Sequence, residues 1–195
     1  MAFERLVIVS GLAGSGKSTL AKKIAKEFNL KIVHASDILK KMKNKNIKKV
    51  DVFSTEPSKG WWESKEAKKY LQQRLQEKRF DLELDKKLLE IAKRGNVVLD
   101  SKTMGYLCKR GIKIWLKASV KVRAERIAAR DNLKVEDVMK SIKLRDSTDA
   151  TIYKKLYGFD LGKNLENFNL VIDTEKLAPA RVFEIARLFL ESNLE

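Results

Sequence analysis

Residues 11–18, Gly-Leu-Ala-Gly-Ser-Gly-Lys-Ser, constrain this chain more than any other stretch of it. They satisfy G-x-x-x-x-G-K-[ST], directly after an apolar run at 6–9 and directly before a helical pattern at 18–28. Glycines let such a loop wrap with successive backbone N–H groups pointing inward, and the helix behind it adds its positive dipole end. The result is a cradle for a polyphosphate, built here from Gly11, Ala13, Gly14, Ser15, Gly16, Lys17, Ser18 and Thr19. Lys17 is expected to reach the β- and γ-phosphates, and the Ser18 hydroxyl to join the coordination sphere of Mg2+. A tight turn without a ligand is the alternative. With glycine at roughly 7% of residues, a chance match in a chain of this length is on the order of one in a hundred.

Four further runs, at 31–34, 97–100, 113–116 and 170–173, are short, apolar and β-branched like the first. They are continuous rather than alternating, so they read as strands covered on both faces, with helices making the parallel crossovers. The fold class is therefore α/β. Helices are expected over 36–43, 61–78 and 82–93, with Gly95 ending the last. Ser119 is a suitable N-cap for a helix over 120–130, a second follows over 135–144, and Pro179 opens a terminal one. Residues 146–163 read as irregular and mobile. Asp100, closing the third strand, is placed to hold Mg2+ beside Ser18 or to cap the next turn. His34, at the end of a buried strand, reads as a packed core residue.

The chain has 195 residues, with 42 Lys+Arg against 26 Asp+Glu and a formal charge of +16. Its 44% hydrophobic content and scarcity of Gly and Pro exclude fibrous and disordered classes. The charge favours anionic ligands and allows weak, non-specific nucleic-acid binding, although solvated lysines on helix exteriors explain most of it. A single Cys108 forms no internal disulfide, and no Cys/His cluster offers a zinc site, so a reducing, cytoplasmic location is expected. No apolar run approaches the roughly 20 residues that span a bilayer.

Taken in order, several segments resemble the nucleoside monophosphate kinases, most closely the short archaeal cytidylate kinases. The likeness rests on the loop and first helix (14–26), Ala35-Ser36-Asp37-Ile38, and the stretches at 95–99, 113–116, 122–128, 153–160 and 170–174. It implies a doubly wound P-loop NTPase fold with a five-stranded parallel sheet. One kinase domain would cover 1–195, with its core at 1–34, 95–118 and 168–195, an acceptor-binding helical region at 35–94 and a lid at 119–163. The activity implied is transfer of the γ-phosphoryl group of ATP, with Mg2+, to CMP or dCMP. Phosphoryl transfer asks a protein for positioning and spread positive charge, which suits two long excursions that close on a loop.

For the lid, Arg123, Arg126 and Arg130 recur at three and four residues, so one helix face carries guanidinium groups able to clasp a triphosphate; solvated partners of Glu125 and Asp131 are the alternative. Arg145 and Asp146 match the Arg-acidic pair that opens the family's lid. On the acceptor side, Ser36, Asp37, Asp81 and Asp85 align with the family's binding region. There the chain also departs from the pattern: Lys40 stands for an Arg, Asp100-Ser101-Lys102 for Glu-Gly-Arg, and Ile152 for an Arg before Tyr153. Lysine keeps the charge but not the planar fork. A kinase of another small acceptor is thus a second reading. A nucleotide-gated RNA-binding protein is a third, suggested by the Lys-rich stretch 40–49 beside Trp61, Trp62, Tyr70 and Phe80.

Overall fold

The computed structural model describes residues 5–43, 65–76 and 78–194. Along the chain run β1 (Leu6–Gly11), α1 (Lys17–Glu27), β2 (Lys31–His34), α2 (Ala35–Lys43), α3 (Lys65–Gln76) and α4 (Arg79–Arg94). Then follow β3 (Val97–Asp100), α5 (Met104–Leu107), β4 (Ile112–Lys117), α6 (Val120–Asp131), α7 (Val135–Tyr157), a 3-10 turn at Leu165–Asn167, β5 (Leu170–Asp173) and α8 (Pro179–Glu191). The five strands form one parallel sheet in the order β2-β3-β1-β4-β5.

β1 is central and buried along its whole length. Its alternate residues divide between two cores, as a pleated strand requires. Val7 and Val9 pack with Leu20 and Ile24 of α1 and with Val182, Ala186 and Leu190 of α8. Leu6 and Ile8 face the other side, where Leu84 and Leu88 of α4, Ile38 of α2 and Met104 of α5 close over Val33 and Leu99. Helices on both faces explain why β1 and β3 read as unbroken apolar runs; the expectation of cover on both faces fails at the edge strand β5, where Val171 and Asp173 are exposed. A third cluster joins α6 and α7 through Ala124, Ile127, Val138 and Ile142, and it includes Ala13 of the loop. The helical hairpin therefore rests directly on the phosphate-binding loop.

Local signals act as expected at several ends. Ser119 Oγ accepts a hydrogen bond from the Val122 N–H at 3.3 Å, capping α6. Gly95 stops α4 at φ 64°. α4 starts at Arg79, three residues before the expected 82, and the described part of the helix expected over 61–78 is Lys65–Gln76. The main correction concerns 146–163: residues 146–157 continue α7, which is one helix of 23 residues, and only 158–163 are irregular. The inward stripe of α7 changes chemistry along its length, from Val138 and Ile142 to Thr148, Asp149 and Tyr153. An apolar periodicity breaks at that change although the helix does not. Among the described residues, no helix is long and apolar enough to cross a membrane.

Candidate active site

Parallel strands deliver their carboxyl ends to one edge of the sheet, where ligands of open α/β folds bind. At that edge β1 runs into the glycine-rich loop and β3 ends in Asp100, in register with Val9. Gly14 has φ +79°, and a Cβ there would lie 2.6 Å from the Arg123 carbonyl oxygen, so no side chain fits. Lys17 is folded back over the loop, donating from Nζ to the Leu12 carbonyl at 3.0 Å. Burial lowers its pKa, with Arg145 and Arg123 adding to the effect and Asp100 and Asp146 opposing it. The Ser18 hydroxyl donates to Asp100 Oδ2 at 2.5 Å, and Nδ1 of His34 lies 2.8 Å from the same oxygen. Burial alone would raise the Asp100 carboxyl, but His34, Lys17 and Ser18 together hold it below its ordinary value. The floor of the site is thus an ammonium, a hydroxyl and an ionised carboxylate at the mouth of the cradle.

Two clefts meet over this floor, sharing Gly14, Lys17, Ser18, Ile127 and Arg130. One, of about 510 Å3, lies between α6 and the start of α8, walled by Leu116, Leu177, Pro179 and Val182 with Arg126 and Thr174 at its side. The other, of about 140 Å3, opens toward α2, α3 and α4 and is walled by charged groups: Arg74, Asp81, Lys102, Arg145 and Asp149. A flat, partly apolar guest suits the first cleft and an anion the second.

The arginines of α6 divide rather than form a single row. Arg123 is buried, with its guanidinium donating to the Ala13 carbonyl at 3.1 Å and the Ala118 carbonyl at 3.2 Å and paired with Asp146 at 2.8 Å. It ties the loop to α7, so its guanidinium is engaged within the protein at the position where a clasp on a triphosphate is expected. Arg126 holds the turn after β5, donating to the Thr174 hydroxyl at 2.9 Å and its carbonyl at 2.5 Å. Arg130 pairs with Asp131 at 2.5 Å and lines both clefts.

Of the residues expected on the acceptor side, Ser36 lines the charged cleft and Asp37 does not. Lys40 belongs to α2, but its side chain lies outside the described residues, as do the rest of the Lys-rich stretch and Trp61, Trp62 and Tyr70. Asp81 accepts from Arg74 Nε at 2.9 Å and Nη2 at 2.5 Å, while Asp85 stands behind it, accepting from Thr103 at 2.7 Å and Tyr157 at 2.8 Å. Burial pushes the Asp85 carboxyl up to about 6 against those two hydrogen bonds. Lys102 pairs with Asp149, which also accepts from Arg74 Nη1 at 2.6 Å. Burial raises the Asp149 carboxyl, yet Lys102, Arg74 and Arg145 overcome it and hold the group strongly ionised.

Arg74, Asp149 and Tyr153 are therefore central to the charged cleft, and sequence reasoning did not single them out as site residues. Arg74 sits in a Lys- and Gln-rich segment that resembles a solvated helix face. Only its tertiary partners mark it.

The model of the Cytidylate kinase-like family matches residues 6–176. The chain belongs to that family. Among its relatives, the cytidylate kinase of Pyrococcus horikoshii is 36% identical over 190 residues, covering 96% of this chain and 90% of the relative. That of Methanocaldococcus jannaschii is 36% identical over 185 residues, covering 92% and 94%. Similar solved structures include shikimate kinase from Acinetobacter baumannii in complex with shikimate (TM-score 0.57, 17% identity, 100% and 97% covered). Another is deoxyadenosine kinase from M. mycoides with bound dATP (TM-score 0.57, 17% identity, 95% and 99% covered). The chain is a cytidylate kinase-like phosphotransferase with the P-loop kinase fold. The family and its cytidylate kinase relatives support a nucleoside monophosphate kinase activity.

Proposed function

We propose that this kinase transfers the γ-phosphoryl group of ATP, carried with Mg2+, to CMP or dCMP. The observation that carries the reading is the shared floor: Lys17 and Ser18 belong to both the wider cleft and the charged one. A donor base in the wider cleft sends its phosphates across the loop, and the terminal phosphorus then meets an acceptor in the charged cleft. Lys17 neutralises charge on the transferring group, while Arg145 and Arg130 approach it from the lid side. Arg126, anchored on Thr174, shapes the donor cleft.

Ser18 and Asp100 suit Mg2+ chemically. The ion prefers hard oxygens and takes few protein ligands, filling its sphere with phosphates and water. A hydroxyl whose proton is already given to an ionised carboxylate offers its lone pairs, and that carboxylate offers charge. When bound, the ion would neutralise phosphate charge and orient the tail.

For the acceptor, Lys102 and Arg145 supply positive charge for a monophosphate, and Ser36 a hydroxyl. The Asp81–Arg74 pair presents a carboxylate beside a guanidinium, complementary to the N4 donor and the O2 and N3 acceptors on a cytosine edge. The names of the relatives support cytidylate over other bases. A coupled assay with ATP and Mg2+ across CMP, dCMP, UMP, AMP and GMP is the test. CMP or dCMP should be turned over at least tenfold faster than the rest, and no product from any monophosphate would refute the reading.

A kinase of another small acceptor is the second reading, favoured by Lys102, whose ammonium is already engaged by Asp149. Thermal shifts against phosphorylated and hydroxyl-bearing metabolites separate the two, because a true acceptor stabilises the fold by mass action. RNA binding has no support in these relatives.

A further inference from the structure

His34 ends β2 in register with Asp100 at the end of β3, so the sheet itself sets the two side chains side by side. The imidazole is fully buried. Its Nδ1 lies 2.8 Å from Asp100 Oδ2, the oxygen that also takes the Ser18 hydroxyl at 2.5 Å. A carboxylate only accepts, so the ring proton facing it is on Nδ1. Nε2 then points into the protein without a hydrogen-bond partner among the described residues.

Leaving a buried polar atom unmet is unfavourable, and an apolar side chain would fill this strand position without that penalty. Simple core packing therefore gives no reason for a histidine. What the ring supplies is a rigid donor to one oxygen of a carboxylate on the floor of the cleft. Both of that carboxylate's hydrogen bonds fall on Oδ2, and Oδ1 accepts none from any described residue although Asp100 lines the cleft.

We propose that His34 is a positioning residue for the metal carried by the nucleotide. Its Nδ1–H fixes the rotation of Asp100, which reserves Oδ1 for the water shell of a magnesium ion. Held in that rotation, Oδ2 draws the Ser18 proton away from the cleft and leaves the hydroxyl lone pairs facing the ion. This rests on the nucleotide–Mg2+ reading above and adds a residue to it. Groups that hydrogen-bond a metal's own ligands typically alter its affinity by about 10- to 100-fold, and His34, acting one residue further out through Asp100, is expected at the lower end of that range.

The test measures metal binding directly. Mn2+ replaces Mg2+, and the free ion is followed by electron paramagnetic resonance as it is titrated into protein holding a non-hydrolysable ATP analogue. His34→Val removes the donor, and His34→Asn keeps an N–H near the Nδ1 position. We expect His34→Val to weaken Mn2+ in the ternary complex by about tenfold or more. Affinity for the analogue in EDTA should stay unchanged, and His34→Asn should hold Mn2+ within about twofold of the wild type. Should His34→Val fail to fold, His34→Gln takes its place, because its amide reaches the Nε2 position and leaves Oδ2 without the donor. A purely structural role would lower the melting temperature and leave the Mn2+ titration unmoved, which overturns the proposal. Equal losses in His34→Asn and His34→Val overturn it too. A wild-type protein that binds nucleotide without any metal dependence refutes the parent reading, whereas a metal-dependent wild type matched by His34→Val refutes this inference alone.

Discussion

Lys102 is a cleft cation whose charge lies close to a working pH. Burial lowers it to about 8, Arg145 pushes the same way, and Asp149 and Asp146 pull back. The folded value lies below that of an unfolded lysine, so from about pH 8 to 10.5 the unfolded chain binds the extra proton and stability rises with pH through that window. The charged cleft, proposed to hold the acceptor, meanwhile loses a positive charge. The KM for the monophosphate should therefore climb between pH 7 and 9.5, and Lys102→Arg, which stays charged, should flatten the climb. A wild-type KM that is flat over this range would contradict the role given to Lys102. Gly14 makes a sharper demand. Gly14→Ala sets a Cβ 2.6 Å from the Arg123 carbonyl in a left-handed backbone, and should cost ATP analogue binding at least tenfold by calorimetry. The loop was legible in the sequence because its chemistry is local. Arg123 was not, because a guanidinium spaced for a ligand and one spaced for Ala13 and Asp146 look alike until α7 is in place.

Among the elements, α7 carries the most information that the sequence hid. An outward polar face and an inward apolar one is the pattern by which a helix is recognised. The second half of α7 turns Asp149 and Tyr153 inward instead, toward Arg74 and Lys102. It therefore looks like a loop although it is well bonded. Asp149 holds two cations supplied by different parts of the chain, and removing one partner of a buried pair typically costs about 3–5 kcal/mol. Asp149→Asn should lower unfolding stability by about that amount in urea, and a loss under about 1 kcal/mol would show that the pairs contribute little. The strands, in contrast, were legible almost to the residue, because β1 and β3, buried on both faces, leave unbroken apolar runs, and even the edge strand β5 keeps a short β-branched one.

At the scale of the molecule, the sheet order turns separate motifs into one site. Sequence proximity does not bring His34 to Asp100 or Asp100 to Ser18; the neighbouring of β2, β3 and β1 does. Both excursions contribute to the charged cleft, α3 and α4 from one and α7 from the other, while β4 and the start of α8 give the wider cleft its apolar wall. The net charge of +16 raises the local concentration of anionic substrates at low salt, so kcat/KM should fall as ionic strength rises. That dependence should be shared by donor and acceptor, since both are polyanions entering one field.

The central claim is that a phosphoryl group passes across Lys17 from a donor in one cleft to an acceptor in the other. Phosphorus NMR of the protein with ATP, Mg2+ and CMP tests it in a single spectrum. The γ-phosphorus signal of ATP should give way to the β-phosphorus signal of CDP, with Lys17→Ala leaving the spectrum unchanged. Release of the γ-phosphorus as inorganic phosphate at the same rate with and without CMP would contradict it.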